Sequence, residues 1–222
     1  MSSRFIKFSC SVCLFACIGD FVIMFYLGLY YPGYSQLKDT MSSLGATISP
    51  VSAEISAWWI LVGLLFIIFG LGFMQAFRDK GKYTTIATWL IILYGVGEGI
   101  GSGVFKADHI GDSMTISCMI HDALGGVGIA AILFLPLLMK KIISKAEMPA
   151  FYRMSTIVFV MGILALVLFS FRVSNNNNNL LNVYQGLWQR LMMLNSYVYL
   201  AAISIIMWKN KSGLSKSTSR HF

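Results

Sequence analysis

The stretch Ile60-Leu61-Val62-Gly63-Leu64-Leu65-Phe66-Ile67-Ile68 decides the fold. It is apolar at every position. A strand of a membrane β-barrel alternates lipid-facing and lumen-facing residues over about 10 positions, and this run does not alternate. It lies inside a longer apolar segment, 53–77, which exceeds the roughly 20 residues a helix needs to cross a bilayer. Working outward, comparable segments recur at 8–29, 83–104, 117–139, 154–172 and 184–208. The chain is 57% hydrophobic and 12% charged, against about 25% charged in a soluble domain, and its mean hydropathy is +0.72. The expected fold is all-α: a polytopic membrane protein with six transmembrane helices in one domain, 1–208. A basic, unstructured tail is expected over 209–222.

The net charge of +8 first suggests nucleic acid, but its placement points to topology. Arg4 and Lys7 precede span 1. Arg78, Lys80 and Lys82 separate spans 2 and 3. Lys140, Lys141, Lys145 and Arg153 separate spans 4 and 5, and Lys209, Lys211, Lys216 and Arg220 follow span 6. The opposite loops carry only Lys38, Lys106 and Arg172. This bias predicts cytoplasmic termini and a multi-pass protein of the cell inner (plasma) membrane. The basic residues then meet anionic lipid rather than nucleic acid.

Cys10, Cys13 and Cys17 share a face of span 1 with no accompanying histidine and read as small packing residues. Cys118 stands apart, so no disulfide framework is expected. Leu14-Phe15-Ala16-Cys17 loosely resembles a lipoprotein cleavage box. Phe15 is bulky for that role and the apolar run continues to Leu29, so span 1 is expected to remain uncleaved.

Loop 1 opens with Tyr30-Tyr31-Pro32-Gly33-Tyr34, which suits a membrane interface and a turn. Ser35 and Gly45 can bound a short amphipathic helix with Leu37, Met41 and Leu44 on one face. That helix is expected to lie over the external end as a collar. Ser49-Pro50 is expected to start span 2, with Glu54 near its positive end. Span 3 ends in Gly95-Val96-Gly97-Glu98-Gly99-Ile100-Gly101-Ser102-Gly103. Positions 95, 99 and 103 form one small-residue face, and 97 and 101 another. Close packing on span 4, with its Gly125, Gly126 and Gly128, is the plain reading. A locally unwound helix at Glu98, exposing backbone to a covered cavity, is the sharper one. Asn175 through Asn179 reads as a polar connector.

Five ionisable residues fall inside the spans: Asp20, Glu98, His121, Asp122 and Arg190. A charge facing lipid costs roughly 2.5–3.5 kcal/mol on insertion scales, so such groups face one another or a wet cavity. Arg190 is expected to pair with Glu98 or Asp20. His121 and Asp122 are adjacent and point about 100° apart, so they cannot both face one neighbour. Asp108, His109, Asp112, His121 and Glu98 offer donors for a zinc-like site, but no metal-binding spacing joins them. His109, His121 and Asp108 are therefore weak metal candidates. Ser42 or Ser43 with His121 and an acid can compose a nucleophilic set, with His121 and Asp108 the catalytic candidates, although G-x-S-x-G is absent.

At these residues the chain resembles a family of six-span bacterial and archaeal membrane proteins, domain of unknown function 998. The resemblance rests on Pro32-Gly33-Tyr34-Ser35, Asp39-Thr40, Ser43-Leu44-Gly45-Ala46 and Ser49-Pro50. It continues in Gly103-Val104-Phe105 with Asp108, in His121 with Gly125, and in Gly186-Leu187-Trp188-Gln189-Arg190. Lys106-Ala107 departs from it, standing where the family tends to carry proline and a second residue. The resemblance implies the six-helix fold and draws attention to Asp39, Asp108, His121 and Arg190. It implies no activity.

The leading expectation is a non-enzymatic protein whose outward-facing polar pocket binds, senses or passes a small polar ligand, ion or lipid headgroup. Its ligand-binding candidates are Asp20, Asp39, Glu98, Asp108, His121, Asp122 and Arg190, with no cofactor. The alternatives are an intramembrane lipid-acting hydrolase or transferase using His121 and nearby acids, and a membrane scaffold whose glycine faces dock a partner helix.

Overall fold

The computed structural model describes residues 3–111, 113–170 and 180–218, with side chains to residue 209. The expected Asn175–Asn179 connector, Asp112 and Arg172 lie outside the described residues. The described residues contain six long helices: α1 Ser3–Gly28, α2 Ser52–Ala76, α3 Lys82–Val104, α4 Ile116–Ile142, α5 Pro149–Ser170 and α6 Gln185–Thr218. All six are long and apolar enough to cross a membrane, α6 through Gln185–Lys209. Each helix packs on its sequence neighbours, and α6 returns to α1, closing a ring.

Lipid solvates apolar side chains as well as a protein core does, so a membrane bundle keeps its apolar residues outside and its tight fits inside. Phe15, Ile18 and Val22 of α1, and Ile157, Val160 and Leu164 of α5, are exposed. The interior is aromatic at mid-height. Phe66 of α2, Tyr94 of α3 and Tyr197 of α6 meet with ring centroids 5.2–6.5 Å apart. Cys10, Cys13 and Cys17 are buried along α1 as packing residues.

The glycine ladder packs closely, as expected, but on a different partner from the expected one for one face, and the helix at Glu98 is widened rather than unwound. Gly95 through Gly101 form a π-helical turn inside α3, a wider turn that often marks functional sites. The face at 95, 99 and 103 packs on α2, not on α4. A Cβ added at Gly99 would lie 2.5 Å from Gly63 Cα and 2.7 Å from Gly63 N. The face at 97 and 101 is the one that meets α4: a Cβ at Gly97 would lie 3.0 Å from Gly128 N. Two glycine faces let α3 approach both neighbours at backbone distance, which leaves Glu98 between them.

The helix in loop 1 is shorter than expected. Only Met41–Gly45 is helical, as a 3-10 turn. Ser35 does not cap a helix; its N–H donates to the Asp39 carboxylate (2.6 Å), and Asp39 N–H returns to Ser35 O (2.8 Å). Met41 and Leu44 are buried, while Leu37 is exposed. Ser49 Oγ accepts from Val51 N–H in a turn ahead of α2, which begins at Ser52 rather than at Pro50. Between α3 and α4 a two-residue hairpin pairs His109 with Met114 and Ile110 with Ser113.

Candidate functional site beneath the collar

Residues 30–51 form a collar at one end of the ring, and named polar side chains fasten it there. From α6, Gln189 Oε1 accepts from Met41 N–H at 2.7 Å. Backbone N–H groups of Gly186 and Leu187 donate to the carbonyls of Lys38 and Leu37. From α4, His121 Nε2 lies 3.2 Å from Ser42 Oγ, while its Nδ1 lies 2.9 Å from the Phe105 carbonyl. A carbonyl only accepts, so Nδ1 carries the proton and Nε2 accepts from the serine hydroxyl. From the hairpin connection, the Asp108 carboxylate takes Thr47 N–H (2.7 Å) and Thr47 Oγ1–H (2.6 Å). Burial pushes this carboxyl up, but the two Thr47 bonds, with Lys106 and His109 nearby, outweigh it and hold Asp108 below the usual carboxylate range. Lys106 donates to Ser52 O, Ser52 Oγ and Ser56 Oγ. Burial pulls its ammonium below the usual lysine range against the opposing pull of Asp108.

Arg190 is the strongest clamp, and it corrects the expected ion pair. Its Nη1 donates to Asp39 O (2.9 Å) and Gly186 O (3.0 Å), and its Nη2 to Tyr34 Oη (2.5 Å) and Gln36 Oε1 (2.6 Å). The guanidinium also lies over the rings of Phe25 and Tyr34. Neither Glu98 nor Asp20 is among its partners. The planar fork gives four hydrogen bonds to neutral acceptors, three on the collar and one at Gly186 of α6, while its buried Nε meets no partner among the described residues.

Below the collar lies a cavity lined by Asp20, Ser42, Trp59, Glu98, Gln189 and Tyr197, among others. Its volume of about 20 Å³ compares with the roughly 10–15 Å³ that one water requires. Asp20 is 1% exposed. Its Oδ1 accepts from Trp58 Nε1 (2.9 Å) and its Oδ2 from Tyr197 Oη (2.7 Å). Glu98 differs: no hydrogen-bond partner meets its carboxyl among the described residues, and it lines both this cavity and an adjoining apolar one. The second hollow shares Met41, Tyr94, Glu98 and Met193 with the first and adds Ile129, Ile132 and Leu133.

The expected site residues therefore separate. Asp20 and Glu98 share the cavity. His121 reaches it through Ser42. Asp39, Asp108 and Arg190 hold the collar. Asp122 is exposed and His109 is exposed on the hairpin, and neither lines the cavity. Among the described residues no group of three or more His, Cys, Asp and Glu side chains is placed to hold a metal. Sequence reasoning missed Trp58, Tyr197 and Gln189. Gln189 stood inside the quoted Gly186–Arg190 block, but the aromatic partners of Asp20 carried no local signal.

The fold and the contacts of loop 1 define a six-helix membrane protein with a clamped loop across one end. The model of the family described as protein of unknown function (DUF998) matches residues 14–206. The chain belongs to that family. No curated protein and no solved structure matches it.

Proposed function

We propose that this protein binds a small cation in the cavity beneath the collar and exchanges it against protons, with Glu98 as the exchanging group. The observation that carries the reading is the unpartnered Glu98 carboxyl facing a cavity that it shares with Asp20. An intramembrane carboxyl is retained at considerable cost, and unpaired ones mark ion or proton sites. Asp20, held by Trp58 and Tyr197, adds a second acidic group without mobility of its own. Glu98 lies within the π-helical turn, a feature that often marks functional sites. The resting volume suits water or a bare ion, not a lipid headgroup.

The test uses purified full-length protein in lightly buffered detergent near pH 7, titrated separately with Na⁺, K⁺ and Ca²⁺. At least one ion is expected to release protons and raise the melting temperature, since a ligand at 100 times its Kd adds about 2.7 kcal/mol of stability. Glu98→Gln is expected to remove both responses, and Asp20→Asn to weaken them. Absence of proton release and thermal shift with all three ions overturns the reading, as does a Glu98→Gln variant that responds like wild type.

A further inference from the structure

We propose that Ser42 is a nucleophile activated by His121, and that the cavity accepts carboxylic esters carrying an acyl chain from the membrane. This goes beyond the cation site and does not depend on it.

Three observations converge. First, Ser42 Oγ donates to His121 Nε2 at 3.2 Å, and Nδ1–H is fixed by the Phe105 carbonyl at 2.9 Å. That is a nucleophile, a base and a group orienting the base, the arrangement that activates serine on unrelated folds. The orienting group here is a carbonyl. It sets tautomer and ring angle without adding charge. Its neighbour Ser43 is engaged differently, donating to Thr40 O at 2.7 Å. Second, Ser42 lines the polar cavity, and so does Gln189. The Gln189 oxygen is taken by Met41 N–H, which leaves its amide NH₂ as a donor for a developing oxyanion. Third, the polar cavity adjoins the apolar hollow of Ile129, Ile132 and Leu133 across Met41 and Met193. The hollow is about 20 Å³ at rest, so Met41 and Met193, side chains that re-pack readily, must move aside before an acyl chain occupies it and its ester carbonyl meets Ser42.

The chemistry balances with water alone. Ser42 Oγ forms a bond to the ester carbonyl carbon as its proton moves to His121 Nε2. The ester C–O bond breaks, and the imidazolium proton passes to the leaving alkoxide. This gives an alcohol and acyl-Ser42. Water, deprotonated by the same imidazole, repeats the sequence and releases the carboxylic acid.

The experiment treats the full-length protein, in membranes and in detergent, with a decyl fluorophosphonate reporter, and maps the adduct by mass spectrometry. Wild type is expected to label at Ser42. Ser43→Ala is expected to label at the wild-type rate. Ser42→Ala is expected to show no adduct, and His121→Gln to slow labelling about 100-fold or more, the lower end of general-base contributions. Size-exclusion profiles confirm that the variants fold. Two results overturn the proposal: an unlabelled wild type beside a labelled serine-hydrolase control, or labelling that survives in Ser42→Ala. Neither reads on cation binding, so this proposal and the ion-exchange reading fail separately.

Discussion

Arg190→Met tests whether the motif residues serve the collar. The guanidinium gives three hydrogen bonds to collar groups, at Asp39 O, Tyr34 Oη and Gln36 Oε1. Bonds to charged groups contribute about 1.5–3 kcal/mol each in soluble proteins, and interhelical bonds in membranes average about 0.6. These bonds are not additive, and the site lies near the end of the bundle, where water can replace part of what is lost. Together they place the loss at roughly 2–5 kcal/mol. At 3 kcal/mol the local opening constant rises about 150-fold, since each 1.4 kcal/mol is tenfold. The assay is hydrogen–deuterium exchange in detergent. Peptides covering 34–45 are expected to exchange about 100-fold faster in Arg190→Met, while the middle of α2 stays protected. Arg190→Lys is expected to fall between, because a single ammonium cannot reach both pairs of acceptors that the fork serves. An Arg190→Met collar that exchanges within about threefold of wild type refutes the clamp. So does restoration of stability by Arg190→Met combined with Glu98→Gln, the outcome a buried ion pair requires.

Three more outcomes follow from the same contacts. Gly99→Ala is expected to lower stability by about 1–3 kcal/mol through overpacking on Gly63, whereas Gly126→Ala, which meets nothing within 4 Å, is expected to be neutral or to stabilise by up to about 1 kcal/mol; thermal melts of the two variants check the difference. Asp108, held below its unfolded value, contributes stability that is present above the ordinary aspartate range and is lost as pH falls through its depressed folded value. Melting temperature measured from pH 6 to pH 3 should therefore fall less steeply in Asp108→Asn than in wild type, and identical slopes would show that the Thr47 contact contributes nothing. Tyr197→Phe removes one of the two donors to Asp20 and is expected to cost about 1–3 kcal/mol; a melt indistinguishable from wild type counts against that bond.

The spans were legible because a bilayer admits few solutions: a run of twenty apolar residues must close its own backbone hydrogen bonds, and a helix does so within one segment. Partners were less legible than elements. Glycines at 95, 99 and 103 announced a close approach but not to whom, since Gly63 sits in an unbroken apolar run with nothing to single it out. The collar misled for a different reason. Ser35 and Gly45 read as helix ends, and Asp39 N–H does close one turn onto Ser35 O, but Arg190 takes the Asp39 carbonyl that the next turn would use, so the coil does not continue.

Arg190 shows where a sound rule was applied too narrowly. Intramembrane charges need satisfaction, and here two carbonyls, a hydroxyl and an amide oxygen supply it to both terminal nitrogens of the guanidinium in place of a carboxylate. That substitution changes what remains for function. With Arg190 and Asp108 engaged on the collar, and Asp20 held by donors 38 and 177 residues away in sequence, the cavity groups that the two proposals use are the Glu98 carboxyl, the Gln189 amide NH₂ and the Ser42 hydroxyl with His121 behind it. The motif residues then serve closure, and the reactive groups sit on what closure covers: Ser42 on the collar itself, Glu98 on the widened turn beneath it. Lifting the collar would draw Ser42 away from His121. Under the Ser42 proposal, the serine therefore acts only while the collar holds it 3.2 Å from the imidazole.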